Sequence, residues 1–222
     1  MARILLCVDD PALEIALLRL GHTVRRATLP RGALAVVNLW QFRRATAAFR
    51  PDVLMSASGE AIGAETAQQI GARHVLPPAD AAFLMDHWLS PPFLATPARP
   101  AIIYAGVAPL EIPGAEVAVL TGEGMPPMVP EIAVLGAATP DVLAGLLGGG
   151  AVIVAPDTLD MRRYIADGIT GVLYPTGTAL APLLARLVVD AGRRGALGGA
   201  ARHAFLARHR AALTALRNSL GG

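Results

Sequence analysis

The stretch Ala151-Val152-Ile153-Val154-Ala155-Pro156-Asp157-Thr158-Leu159-Asp160-Met161-Arg162-Arg163-Tyr164-Ile165-Ala166-Asp167-Gly168-Ile169-Thr170-Gly171-Val172-Leu173-Tyr174-Pro175-Thr176-Gly177 decides the fold. Ala151 to Ala155 is an unbroken apolar run, as expected of a strand inside a parallel sheet that helices cover. Pro156 and Asp157 end it. A short helix over Asp160 to Ala166 is expected next, closed at Gly168, and a further strand over Gly171 to Tyr174. Gly168 and Gly171 read as turn residues that tolerate positive φ. Strand, loop, helix and strand in this order make one unit of a parallel α/β sheet. Such sheets bind ligands beyond the carboxyl ends of their strands. The loop from Pro156 to Asp160 lies at such an end, and the helix after it offers free N–H groups to an anion.

The same alternation extends in both directions. Upstream, strands are expected over Ala101 to Ala105, Ala115 to Leu120 and Glu131 to Leu135, with a helix opening at Thr139-Pro140. Downstream, helices are expected over Ala179 to Ala191 and from Arg193 to about Leu220. Toward the N-terminus, Arg3 to Val8 reads as a buried strand, with Pro11 in the first turn of a following helix that Gly21 ends. Strands over His22 to Leu29, Asp52 to Ser56 and Arg73 to Leu76 alternate with helices over Ala33 to Phe49 and Gly63 to Ile70. Leu89 to Pro100 carries four prolines and reads as the linker.

Composition agrees. Apolar residues make up 54% of the 222-residue chain and charged residues 16%, which excludes general disorder. The apolar runs are broken too early by Asp, Arg, Gly or Pro to span a bilayer, and no signal segment is read at the start. A cytoplasmic protein is expected. Cys7, the only cysteine, reads as a small buried strand residue. The five histidines are scattered without ligand spacing, so no metal is expected. The bases are all arginine. Beyond Gly168 seven of them face a single acid, Asp190, so weak contact with an anionic membrane surface is one reading of the C-terminal helices and a solvated helix face is the other. The net charge of +2 is too small for nucleic acid to lead.

Ala151 to Gly177, with its Asp167-Gly168-x-Thr170-Gly171-x-Leu173-x-Pro175-x-Gly177, resembles the C-terminal domain of group-1 GT-B glycosyltransferases. The match in order and spacing covers roughly Leu143 to Arg210. Leu18-Arg19-Leu20-Gly21-His22-Thr23-Val24 is similar to a motif near the start of many such enzymes. The resemblance implies an α/β protein of two small Rossmann-like parallel-sheet halves facing each other, an abbreviated GT-B fold. It implies an acceptor-side domain over 1–96 and a nucleotide-sugar-side domain over 97–222 with the closing helices. The activity implied is transfer of a sugar from a nucleotide-sugar donor to an acceptor, with no further cofactor. Two departures stand out. The paired glutamates of the family's donor site align with Ala137 and Gly145, and no base follows the strand Ala101 to Ala105. A noncatalytic binding or assembly protein of the same fold is therefore the alternative, and an epimerase-like enzyme a third.

Candidate residues follow from this reading. Arg162 and Arg163 either neutralise a diphosphate or form surface ion pairs. Asp157 and Asp160 take ribose hydroxyls or cap the helix. Thr158 bonds a phosphate or turns the loop. Asp9 and Asp10, at the end of the first strand, are placed to act as acid or base on an acceptor hydroxyl, or are solvated loop residues. Ser56, Ser58 and Glu60 follow the third strand, and Gly106 follows the strand Ala101 to Ala105; all four are cleft candidates.

Overall fold

Every strand pairing in the computed structural model is parallel among the described residues. These are residues 1–29, 35–57, 61–78, 81–84, 101–105, 107–119, 130–136, 140–175 and 177–221, the side chains of 35–39, 61, 82, 140 and 141 excepted. They form two units, 1–85 with 210–222 and 86–209.

The first unit holds a four-stranded sheet of β1 (Arg3–Leu6), β2 (Thr23–Arg26), β3 (Val53–Met55) and β4 (Arg73–Val75) in the order β2-β1-β3-β4. Helices α1 (Pro11–Arg19), α2 (Ala35–Ala47) and α3 (Ala61–Ile70) alternate with the strands, and a 3-10 turn (Ala81–Leu84), not anticipated from sequence, follows β4. The period-2 geometry of a strand sends alternate side chains to opposite faces. Ile4, Leu6, Val53 and Met55 therefore pack with Leu13 and Leu17 of α1. Leu5 and Leu54 pack on the other face with Phe42 of α2 and Ala67 of α3. Each fully buried aliphatic side chain contributes about 1.5–3 kcal/mol through the hydrophobic effect.

The second unit holds β5 (Ala101–Ala105), β6 (Glu116–Val119), β7 (Ile132–Leu135), β8 (Val152–Pro156) and β9 (Gly171–Tyr174), in the order β6-β5-β7-β8-β9. Its helices are α4 (Pro140–Gly149), α5 (Leu159–Arg162), α6 (Leu180–Val189) and α7 (Ala191–Gly221). Ile102, Tyr104, Ile132, Val134, Val152 and Val154 form one face, covered by Leu184, Leu187 and Leu197. In both sheets the strand order reverses beside the unit's first strand, between β1 and β3 and between β5 and β7. That reversal is the topological switch point at which open α/β sheets bind ligands.

Several expectations are corrected. The C-terminal helices do not belong wholly to the second half. From Arg210 onward α7 belongs to the first unit, because Ala212 and Leu216, one turn apart, enter the core around Leu13 and Leu17. The expected boundary at 96/97 and the proline-rich linker lie outside the described residues. Helix α5 stops at Arg162 instead of reaching Ala166, because the Ala166 N–H turns to the Thr170 hydroxyl oxygen at 2.8 Å. Gly168 has the expected positive φ of 70°, but Gly171 does not. What Gly171 requires is space: a Cβ there would lie 2.7 Å from the Ile153 carbonyl oxygen and 2.8 Å from Ile165 Cγ2. No helix among the described residues is long and apolar enough to cross a membrane.

Candidate functional site

The segment joining β8 to α5 is built by local hydrogen bonds at the carboxyl end of the sheet. The Asp157 N–H donates to the Tyr174 carbonyl at 2.9 Å, tying the loop to β9. Thr158 is the N-cap of α5, and its Oγ1 accepts from the Met161 N–H at 3.3 Å. Capping of this kind is the usual task of Thr, Ser, Asp and Asn at a helix start. It leaves the Thr158 hydroxyl proton free to donate. Among the described residues the N–H groups of Leu159 and Asp160 have no acceptor, so two backbone donors remain open beside that hydroxyl.

The charges of this segment are arranged less simply. Arg162 donates from Nε to Asp157 Oδ1 at 2.5 Å and from Nη2 to Asp157 Oδ2 at 2.7 Å, a bidentate pair. The Arg162 guanidinium holds the Asp157 carboxyl below the usual carboxylate range, and the carboxylate raises Arg162 in return. Arg163 and Asp160 pair loosely at 3.8 Å with side chains 76% and 86% exposed. Two acids and two bases thus balance, and Arg163 is the cation least engaged. Neither carboxylate caps α5; Thr158 does.

The motif that carries the resemblance is scaffold. Asp167 Oδ1 accepts from the Leu173 N–H at 2.8 Å, Gly168 donates its N–H to the Gly171 carbonyl at 2.9 Å, and Thr170 is buried while it holds the Ala166 N–H. Asp167, Gly168, Thr170 and Gly171 are thus engaged by the turn itself.

In the first unit, a depression of about 560 Å³ lies at the carboxyl ends of β1 and β2, lined by Leu6, Val8, Asp9, Arg26, Leu29 and Ala57 among others. The two aspartates after β1 diverge. Asp10 is the N-cap of α1, its Oδ1 accepting from the Leu13 N–H at 2.9 Å. Asp9 is 93% exposed and meets Arg26 at 3.1 Å, while the same guanidinium binds Glu14 at 2.5 Å. Asp9 is therefore the carboxylate that faces the depression with capacity to spare.

Ser56 is fully buried and does not face open space. Its Oγ lies 2.8 Å from His74 Nε2, beneath Gly63, where a Cβ would come within 2.2 Å of the same Oγ. This Ser–His pair was missed from sequence. The parallel register of β3 and β4, which sets Leu54 beside His74, is what brings it together. Ser58, Glu60 and Gly106 lie outside the described residues. The arginine-rich tail is partly internal: Arg194, with a 12% exposed side chain, binds Glu131 at 2.8 Å and the Leu187 and Val188 carbonyls, and Arg208 donates to the Arg163 carbonyl and stacks on Tyr164.

The chain matches no family model, and no curated protein matches it. Solved structures share its fold along nearly its whole length. A glycosyltransferase from Rickettsia africae matches with a TM-score of 0.66 at 9% identity, over 97% of each chain. HepE from Anabaena, solved with UDP and glucose, matches with a TM-score of 0.60 at 10% identity over 100% of each. Sucrose-phosphate synthase from Thermosynechococcus elongatus matches with a TM-score of 0.59 at 12% identity over 97% of each. At such identities the likeness is one of fold, and the fold is the α/β arrangement of GT-B glycosyltransferases.

Proposed function

We propose that the protein is a glycosyltransferase that draws its sugar from a nucleotide-sugar donor. The observation that carries this reading is the pair of parallel sheets, each with a switch point beside its first strand, in a fold shared end to end with glycosyltransferases of known structure. The second unit receives the donor at the carboxyl ends of its strands. The open N–H groups of Leu159 and Asp160, the Thr158 hydroxyl and Arg163 are the donors offered to a diphosphate. Asp157, held by Arg162, keeps lone pairs for a ribose hydroxyl. The first unit receives the acceptor in the depression beside Asp9. With Asp10 engaged as a cap, Asp9 is the better-placed base. Catalysis rests on positioning and on stabilising the leaving diphosphate.

The engagement of Arg162 by Asp157 and of Asp10 by α1 favours a second reading, a noncatalytic protein of the same fold that binds without transferring. One screen addresses both. Calorimetry and thermal shift against UDP, other nucleoside diphosphates and nucleotide sugars should show saturable binding that Arg163→Ala weakens. Absence of binding at millimolar ligand defeats the transferase reading. Binding without sugar release, with water or a panel of acceptors, selects the noncatalytic one.

A further inference from the structure

At the opposite, amino-terminal end of the first unit's strands lies a second depression of about 530 Å³, whose lining includes Arg3, Arg43, Arg50, Asp52, Gln69 and Gly71. Its charges are three guanidiniums against one carboxylate. Asp52 is committed to Arg3: it accepts from Nη2 at 2.9 Å and from the Arg3 backbone N–H at 2.8 Å. Arg43 and Arg50 have no side-chain hydrogen bond or ion pair among the described residues. The depression therefore carries two uncommitted guanidiniums.

Arginines near a helix C-terminus ordinarily serve the orphan carbonyls and the helix dipole. Here backbone N–H groups already take part of that role at both helix ends that reach the depression. The Thr46 carbonyl accepts the N–H groups of Phe49 and Arg50 after α2, and the Gln68 and Ala67 carbonyls accept those of Gly71 and Ala72 after α3. The two ends also form an internal comparison. The left-handed residue that ends α3 is Gly71, with φ 71°, as sterics favour. The residue that does so after α2 is Arg50, with φ 47° and among described residues the only non-glycine at positive φ. Left-handed backbone is costly for a side chain bearing a Cβ, and such outliers point toward function. An arginine stands where a glycine would be relaxed, and among the described residues its guanidinium has no hydrogen-bond or ion-pair partner.

We infer that this depression binds a phosphate-bearing group, held between Arg43 and Arg50. Guanidinium forks match phosphate oxygens bidentately, and Gln69, exposed on the same wall, adds an amide donor. The site is separate from the donor and acceptor regions and does not depend on the transferase reading.

The test uses the full chain with inorganic phosphate, glycerol phosphate, and vesicles of phosphatidylcholine with or without phosphatidylglycerol. Glycerol phosphate should bind in the millimolar range or tighter, and Arg43→Gln and Arg50→Gly should each weaken binding about tenfold. Arg50→Gly should at the same time raise the melting temperature of the ligand-free protein, since it relieves the left-handed strain, so lost binding is not lost folding. Binding to phosphatidylglycerol vesicles alone, lost in both variants, identifies the group as a lipid headgroup; binding of glycerol phosphate identifies a free ligand. Unchanged binding in both variants, or no binding of any probe by the wild type, overturns the inference.

Discussion

Arg162 and Asp157 hold each other through two parallel bonds, 2.5 and 2.7 Å long, within the segment that follows β8. Both residues are candidates for donor recognition, and in this arrangement each cancels the other's charge. Asp157→Asn should release Arg162 and remove a negative charge while its amide oxygen can still accept a ribose hydroxyl, so UDP should bind several-fold more tightly. Arg162→Ala leaves the carboxylate bare and should weaken UDP about tenfold. Calorimetric titration of the two variants checks this. The pair lies at the surface, with the Arg162 side chain 60% and the Asp157 side chain 28% exposed, so either variant should shift the melting temperature by only a small amount. Equal UDP affinity in both would place the diphosphate away from this segment.

Gly63 gives a packing prediction. Gly63→Ala would drive a Cβ to 2.2 Å from Ser56 Oγ and 2.9 Å from His74 Nε2. Overpacking of this kind costs about 1–3 kcal/mol, measurable by urea denaturation. Adding Ser56→Ala removes the nearest atom and should restore part of the loss. If Gly63→Ala is neutral, the close packing of α3 on β3 is not as described.

The turn between α5 and β9 gives a prediction that separates scaffold from site. Thr170→Val keeps the shape but leaves the Ala166 N–H without the acceptor it has at 2.8 Å. An unsatisfied, partly buried donor costs about 1–3 kcal/mol, and a chain of this size loses about 2–4 °C of melting temperature per kcal/mol. Nucleotide affinity should be unchanged. A selective loss of nucleotide binding with normal stability would assign Thr170 to the ligand instead.

His22 gives a pH prediction. Its Nδ1 accepts from the Ala2 N–H at 3.2 Å, which requires that nitrogen to be unprotonated. Burial, and then the nearby Met1 ammonium, lower its pKa below the ordinary 6.5. With the folded pKa below the unfolded one, the unfolded chain takes up the proton first as pH falls. Stability is therefore fully present above the unfolded value and is lost as pH drops through the lowered folded value. Denaturation midpoints measured at about pH 7.5 and about pH 5.5 should differ in that direction, and His22→Asn should flatten the difference. A pH difference in His22→Asn as large as in the wild type refutes the assignment.

Much of the fold was legible from local signals. The apolar runs marked β1, β3, β7 and β8 to within a residue or two. Pro11 and Gly21 bracketed α1, and Asp167-Gly168-Ile169-Thr170-Gly171 announced the turn before β9. These features depend on bonds between residues a few positions apart, and such bonds are written in the chain. The segment 156–163 was also picked out from sequence. The sequence alone does not decide whether its residues bind a ligand or one another, because a carboxylate and a guanidinium five residues apart suit either role.

What the sequence by itself determined was the alternation of strand and helix, the α/β class, and the loops that end at strand carboxyl termini. The tertiary structure decided the partners. It paired Ser56 with His74, 18 residues away, and Arg194 with Glu131, 63 residues away. It carried the end of α7 into the core of the first unit, and it showed that Gly171 is required for space and not for φ. The physical reason is common to all four. Secondary structure follows from periodicity and from hydrogen bonds between near neighbours, whereas contacts between distant residues follow from strand order and register, which no local pattern encodes.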